Sequence, residues 1–352
     1  MPLDEPSWWF IRERTFIANA MRPVAAVWNW WGLRRFANSN PYRCALPVVC
    51  VGNFTAGGSG KTPMALEIAS ILAPLGVDAY FLTRGYGGRI SGPHLVDVVR
   101  DSARDVGDEA LLLARQSATV VARNRAEGAK FIEKLASAQA KRAAIIMDDG
   151  LQNPSLAKDL SIALVDAVRG IGNGLTIPAG PLRISLEFQL RLADVIVVNN
   201  GVAGDPAGSV AGWLREKFPG PVLEASQSPA GDTGWLDGAR VIAFAGIANP
   251  RRFFDLVESL GGICVDRIAY ADHHTFTSSE AEFLLRRAGD AGAQLVTTEK
   301  DHVRLSGSAP LRDLQRSARP IAIKTAFAGR DQVRMRSLIE GILIQPGDAR
   351  VG

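Results

Sequence analysis

Cysteine is scarce. Cys44, Cys50 and Cys264 are the only three in 352 residues, too few for a disulfide framework, and Cys50 and Cys264 stand in apolar runs that suit small core residues. A reducing compartment fits this usage. Charge of one sign is also lacking. A formal net charge of +4 makes no case for nucleic acid, although an anionic partner is still permitted. There is no internal repeat of 20–50 residues, no low-complexity tract, and no basic-then-apolar signal pattern in residues 1–10. What remains is ordinary globular composition, 47% apolar and 22% charged. The length exceeds what one core usually serves, so two lobes are expected.

A long uncharged apolar run is nearly, but not quite, present. Residues 15–33 carry only Arg22 as a charge. As a helix they reach about 28 Å, close to a bilayer core. Arg22-Pro23 falls near the middle, and a central Arg costs about 2.5–3.5 kcal/mol of insertion free energy. Trp28, Trp30 and Trp31 stand just before Arg34 and Arg35. Indoles prefer the headgroup level and guanidinium groups attract anionic lipid. The segment 1–43 therefore reads as an amphipathic, interfacial membrane anchor, broken at Arg22-Pro23 and separable from a nucleotide site beginning at Gly52. The alternatives are a helix packed on the protein's own core and a true span.

From residue 47 onward, apolar runs alternate with helical patterns. Strands are expected at 47–51, 78–83, 118–122, 143–147, 161–165, 194–198, 241–245, 262–268 and 294–297. Helices are expected at 62–75, 108–116, 125–138, 250–260 and 279–288. Strand then helix, repeated, means a mainly parallel sheet with helices on both faces. Gly-rich stretches at 201–212 and 231–238 bracket the lobe boundary. The division is an anchor at 1–43, a first lobe at 44–225 and a smaller second α/β lobe at 226–352.

The sharpest motif is Val48-Val49-Cys50-Val51-Gly52-Asn53-Phe54-Thr55-Ala56-Gly57-Gly58-Ser59-Gly60-Lys61-Thr62. An apolar strand runs into a glycine-rich loop that opens a helix. Phosphate needs inward-pointing N–H groups, glycine permits close approach, and the helix N-terminus adds partial positive charge. Residues Thr55 to Thr62 would cradle a nucleotide, with Lys61 on the β- and γ-phosphates and the Thr62 hydroxyl on Mg²⁺. The strict P-loop pattern fails at its first position, Thr55. The fold class is thus α/β and P-loop NTPase-like. A second motif, Ala143 to Gly150, ends an apolar strand in Asp148-Asp149, where a metal-holding acid belongs.

Other motifs are ambiguous by themselves. In Val106-Gly107-Asp108-Glu109, Asp108 suits a helix N-cap as well as a catalytic acid or base. In Asp272-His273-His274, adjacent histidines point to different sides and do not suit one metal; one could orient a base or touch phosphate. The loops Arg84-Gly85-Tyr86-Gly87-Gly88, Gly180-Pro181-Leu182-Arg183 and Thr298-Glu299-Lys300-Asp301 offer anion contacts or plain surface.

Together and in this order, with Asp148-Asp149-Gly150-Leu151-Gln152, these motifs resemble the tetraacyldisaccharide 4′-kinase family from about Trp8 to Ile344. Thr55 at the first P-loop position is usual there. Asn153 departs from the His expected after the Gln. The resemblance implies ATP, Mg²⁺ and an acylated glucosamine disaccharide 1-phosphate as acceptor, phosphorylated at its 4′-hydroxyl to a lipid A precursor. It implies a peripheral enzyme on the cytoplasmic face of the bacterial inner membrane. It also implies Asp108 and His273 as a catalytic dyad with Lys61, Glu109 beside Thr62, Asp148 and Asp149 as candidates for the metal, and Arg84 and Arg183 for phosphate on nucleotide or substrate. A soluble-metabolite kinase is the nearest rival. A GTP-dependent regulator is disfavoured because no Asn-Lys-x-Asp motif is present.

Overall fold

A computed structural model describes residues 6–344, apart from 12, 14, 59, 140 and 202–207. The N-terminal segment forms helix α1 (Phe16–Ala37), and the apolar runs become strands because alternate side chains find different faces to bury. In β1 (Val48–Asn53), Val48 and Cys50 enter one core and Val49 and Val51 the other. A run that is apolar at every position suits a parallel sheet covered on both faces.

After β1 come α2 (Lys61–Leu72), β2 (Asp78–Thr83), β3 (His94–Leu95), α3 (Ala103–Val106), α4 (Asp108–Ala114), β4 (Thr119–Val121) and α5 (Arg125–Gln139). Next are β5 (Ala143–Asp148), β6 (Leu160–Asp166), α6 (Leu186–Leu192), β7 (Val195–Asn199), α7 (Gly208–Lys217) and β8 (Val222–Pro229). A second set follows: β9 (Arg240–Ala245), α8 (Pro250–Ser259), β10 (Ile263–Ala269), α9 (Ser278–Ala291), β11 (Gln294–Thr298), α10 (Glu299–Arg304), α11 (Ala309–Ser317) and β12 (Ala318–Ile321). The last elements are β13 (Ile323–Phe327) and α12 (Arg330–Leu343).

The first sheet has nine strands in the order β13-β8-β7-β6-β1-β5-β2-β4-β3, parallel except where β13 meets β8 and β3 meets β4. One face packs against Ala129, Ile132, Ala211 and Leu214 of α5 and α7; the other packs against Met64, Ile68 and Leu72 of α2 and Met335 and Ile339 of α12. The second sheet, β10-β9-β11-β12, is parallel throughout. Phe253 and Val257 of α8 cover one of its faces, and Leu284 of α9 with Leu314 of α11 the other. Strand β13 and helix α12 come back from the second sheet to the first, so the nine-stranded sheet draws on both 44–225 and 226–352.

Helix α1 differs from its expectation in two ways. It continues through Pro23, and its 22 residues reach about 33 Å. Pro23 is exposed, where loss of one N–H is tolerated. The helix is also not separable from the first lobe. Its small residues Ala18, Ala25 and Gly32 form a buried seam, with a Cβ at Gly32 only 3.2 Å from Ile184. Trp28 Nε1 donates to the Arg183 carbonyl at 2.9 Å, and Asn29 Oδ1 accepts from the Ser185 N–H at 2.7 Å. Most of its remaining circumference is exposed and apolar, including Phe16, Val24, Val27, Trp30 and Trp31. Among the described residues no helix is long and apolar enough to cross a membrane.

Candidate active site

Parallel strands deliver their loops to one edge, and the crevice beyond their carboxyl ends is where ligands settle in such sheets. Here that edge gathers the motifs. The loop after β1 reaches α2 through Gly60, whose φ of 85° requires glycine and where a Cβ would come within 2.6 Å of Asn199 and Gln227. Lys61 folds back over the loop, its Nζ 3.5 Å from the Gly57 carbonyl and 3.9 Å from Asp149 Oδ2. Gly57 has φ 100°, and Gly58 faces open space. Thr62 is buried at the start of α2. Ser59 lies outside the described residues. Thr55 and Ala56 do not face the loop freely. The Ala56 N–H donates to the Pro181 carbonyl at 2.8 Å, and the Thr55 carbonyl accepts from Arg183 Nε at 3.2 Å.

The two aspartates at the end of β5 have opposite surroundings. Asp148 is 1% exposed, and neither carboxylate oxygen has a hydrogen-bond partner. Burial, with the negative charges of Glu109 and Asp149, pushes its carboxyl up to about 7. Asp149 is left-handed, with φ 51°. Burial pushes its carboxyl up too, but the charges of Arg183 and Lys61 outweigh this and bring it to about 2. Arg183 Nη2 donates to Asp149 Oδ2 at 3.0 Å, with Nη1 2.9 Å from Oδ1. A buried carboxylate without a donor is what a cation would satisfy. Among the described residues no group of three or more His, Cys, Asp or Glu forms a cage. Mg²⁺ beside phosphates usually takes only one or two carboxylates, so the donor set fits it.

Across the crevice, the second lobe meets α4. Its positioning starts at Gly107, whose φ of 88° and close approach to the Tyr86 carbonyl leave no room for a side chain. That packing joins the Arg84-to-Gly88 loop to the Gly-Asp-Glu motif. Asp108 Oδ2 lies 3.2 Å from His273 Nδ1 and also pairs with Arg304, whose Nε donates to it at 2.9 Å. Burial pushes the Asp108 carboxyl up, yet His273, Arg304 and Lys300 together hold it far below the usual carboxylate range. The same hydrogen bond raises His273 above an ordinary histidine, despite burial. His273 is left-handed, with φ 55°, and its ring meets Tyr86 edge-on at 5.1 Å. Asp149 and His273 are the two non-glycine residues of positive φ among those described. Backbone strain of that kind clusters at functional sites.

Glu109 is engaged by Lys300 Nζ at 2.6 Å, so its route to a metal runs through breaking that pair. Arg84 is exposed at the end of β2 and makes no side-chain ion pair among the described residues. Asn153 makes a local turn, its Oδ1 accepting from the Ser155 N–H at 2.9 Å.

Three contributors have no role assigned from the sequence, although Gln152 and Tyr86 stand inside its motifs. Arg304, which also donates to Asp301 Oδ1 at 2.7 Å and the Gly246 carbonyl at 2.7 Å, sits four residues after Lys300. That spacing puts both cations on one face of α10, and is the one signal that could have found it. Gln152 links the loops, donating to the Asn53 carbonyl at 2.7 Å. Tyr86 stands inside the Arg84-to-Gly88 motif, but its contact with His273 depends on a fold-back of the chain.

Comparison with known proteins extends this picture. The sequence profile of the family described as Tetraacyldisaccharide-1-P 4'-kinase matches residues 17–342. The chain is 45% identical over 308 residues to the tetraacyldisaccharide 4'-kinase of Parvibaculum lavamentivorans, covering 86% of this chain and 87% of that one. It is 42% identical over 347 residues to the enzyme of the same name from Methylobacterium nodulans, covering 98% of each. A solved structure of LpxK from Aquifex aeolicus in complex with ATP shares the fold, with TM-score 0.71, 22% identity, and coverage of 94% of this chain and 100% of that one. With matches along nearly its whole length, and the same motifs converging on one crevice, the chain belongs to the tetraacyldisaccharide-1-P 4'-kinase family.

Proposed function

We propose that the chain transfers the γ-phosphoryl group of ATP to the 4′-hydroxyl of a tetraacylated glucosamine disaccharide 1-phosphate, giving a lipid A precursor. Family membership carries the substrate class. The observation that carries the chemistry is that buried, unpartnered Asp148 is under the charges of Glu109, Lys61 and Lys300, while Asp108, next to Glu109, meets His273 of the second lobe at 3.2 Å.

In this reading, the N–H groups of Gly57 to Lys61 and the Lys61 ammonium hold the β- and γ-phosphates. Asp148 and Thr62 would hold Mg²⁺, with Asp149 and Glu109 as further acids; the ion neutralises charge on the transferred group. Asp108 orients the acceptor hydroxyl and takes its proton as the new P–O bond forms and the γ-phosphorus parts from the bridging oxygen, which leaves with ADP. A carboxylate of depressed pKa is a weak base, but phosphoryl transfer relies mainly on positioning, so the proton can move late. His273, whose pKa is raised by its contact with Asp108, holds the orientation of that carboxylate. Arg183 fixes Asp149, and exposed Arg84 is free for an anionic group of the acceptor.

Helix α1 would seat the enzyme peripherally on the cytoplasmic face of the inner membrane. Its outward surface bears Phe16, Val24, Val27, Trp30 and Trp31. Arg34 lies over the Trp30 ring at 5.3 Å and Arg35 over Trp31 at 5.0 Å. That pairing suits a headgroup layer, where indole and guanidinium are both favoured.

The test is transfer of label from γ-labelled ATP to a detergent-dispersed acylated disaccharide 1-phosphate, beside its unacylated counterpart. Labelling of the acylated acceptor at the 4′ position is expected. Equal labelling of the unacylated sugar would overturn the lipid assignment.

A further inference from the structure

The segment 176–185 is gripped from two sides. From inside, the Arg183 guanidinium is bound by Asp149 at 3.0 Å and by the Thr55 carbonyl at 3.2 Å. From outside, α1 holds the main chain. Trp28 Nε1 donates to the Arg183 carbonyl at 2.9 Å, Asn29 accepts from the Ser185 N–H at 2.7 Å, and Thr176 Oγ1 donates to the Ala25 carbonyl at 3.1 Å. One residue is thus held at its carbonyl by the lipid-facing helix and at its side chain by the phosphate-site carboxylate. An arginine side chain is long, and its head is placed only if its backbone is placed first. A helix needed solely for a membrane surface has no use for an asparagine and an indole N–H aimed at this loop.

We propose that Trp28 and Asn29 are positioning residues for phosphoryl transfer. They fix the Arg183 main chain and, through its guanidinium, the Asp149 carboxylate and the entrance of the Gly57–Lys61 loop. Helix α1 is then a wall of the nucleotide site as well as its lipid-facing surface. This rests on reading Asp149 and Lys61 as the phosphate site. A docking role alone would alter stability or lipid binding and leave ATP kinetics of the folded enzyme untouched.

The experiment compares full-length Trp28→Phe, Asn29→Ala, Asn29→Asp and Arg183→Ala. ATP is titrated at saturating detergent-dispersed acceptor, folding is verified by circular dichroism, and co-sedimentation is measured with phosphatidylglycerol-containing vesicles. Trp28→Phe keeps the ring and removes the donor. Asn29→Asp keeps an acceptor oxygen, whereas Asn29→Ala does not.

The expected result is a three- to ten-fold fall in kcat/KM for ATP in Trp28→Phe and Asn29→Ala, about the worth of one hydrogen bond. Vesicle binding stays within two-fold, and Asn29→Asp stays near wild type. In the Arg183→Ala background, Trp28→Phe has almost no further effect, because both act through the same guanidinium. Unchanged ATP kinetics in Trp28→Phe and Asn29→Ala, beside an impaired Arg183→Ala, would overturn the coupling while leaving the site reading intact. Fully multiplicative effects in the double mutant would overturn the coupling in the same way. An Arg183→Ala enzyme with normal ATP kinetics would remove the guanidinium from the site, and the proposal with it.

Discussion

Replacing Arg304 by Met tests how the two lobes hold the buried Asp108 carboxylate. Arg304 and Asp108 side chains are 6% and 3% exposed, and they belong to α10 of the second lobe and α4 of the first. Removing one partner of a buried pair leaves an uncompensated charge and costs about 3–5 kcal/mol. Asp301 loses its ion pair at the same time. Against a total of about 5–15 kcal/mol for a domain, that is a large share. Asp108→Asn alone leaves the buried Arg304 cation with Asp301 as its remaining ion-pair partner. The double variant leaves neither charge buried alone, so its cost should fall short of the sum by at least about 1 kcal/mol.

The pH dependence has a defined sign. Asp108 is held below its unfolded value, so the unfolded chain takes up the proton first. Its contribution is fully present above about pH 4 and is lost as pH falls below that. In Arg304→Met the depression weakens, and the loss of stability between about pH 4 and pH 2 becomes shallower. Urea denaturation of the four proteins at pH 7 and along this acid limb supplies the measurement. A single-variant cost below about 1 kcal/mol, or strict additivity in the cycle, would refute the reasoning.

Three further outcomes follow from the same geometry. Lys61→Ala should reduce turnover by more than ten-fold while melting behaviour is retained, because among the described residues its ammonium contacts the Gly57 carbonyl and Asp149 rather than packing in a core; steady-state kinetics and a thermal melt decide it. Asp108→Ala and His273→Ala should be strongly non-additive in kcat, since they act as one contact; full multiplicativity in the double mutant would assign them separate roles. Trp30→Ala with Trp31→Ala should weaken co-sedimentation with anionic vesicles at least ten-fold, and high salt should weaken wild-type binding only in part, because apolar burial is unscreened.

Every strand that reads as a continuous apolar run in the sequence is present in the sheets, because burial on both faces writes itself into each position. Strands β8 and β13 are not legible in this way. In β8 only Val222, Leu223 and Ala225 are buried, and β13 alternates Ile323-Lys324-Thr325, so neither presents an apolar run. The loop after β1 and the Asp pair are legible because a glycine-rich turn into a helix and a strand ending in two acids are patterns of adjacent residues. Arg304 is not, since its meaning depends on α4, which is remote in sequence and brought near only by lobe packing. The docking of α1 is hidden for a similar reason. Its seam of Ala18, Ala25 and Gly32 is made of small residues that carry no hydropathic signal, while its most conspicuous residues face outward.

The antiparallel pairing of β8 with β13 has a consequence for how the chain can be edited. The polypeptide leaves the nine-stranded sheet at Pro229 and rejoins it at Ile323, and these two residues are register partners. The Ala230 N–H still donates to the Ala322 carbonyl at 2.8 Å just beyond them. The whole four-stranded lobe is therefore an insertion at the tip of a single hairpin. Replacing residues 230–322 by a turn of about two residues, Asn-Gly for instance, would close β8 onto β13 directly. The excised chain would keep α12 on the sheet and retain Lys61, Asp148, Asp149 and Arg183, but it would lack His273 and Arg304. One deletion would thus leave the loop after β1 and the Asp148–Asp149 pair on the sheet while parting Asp108 from His273 and Arg304.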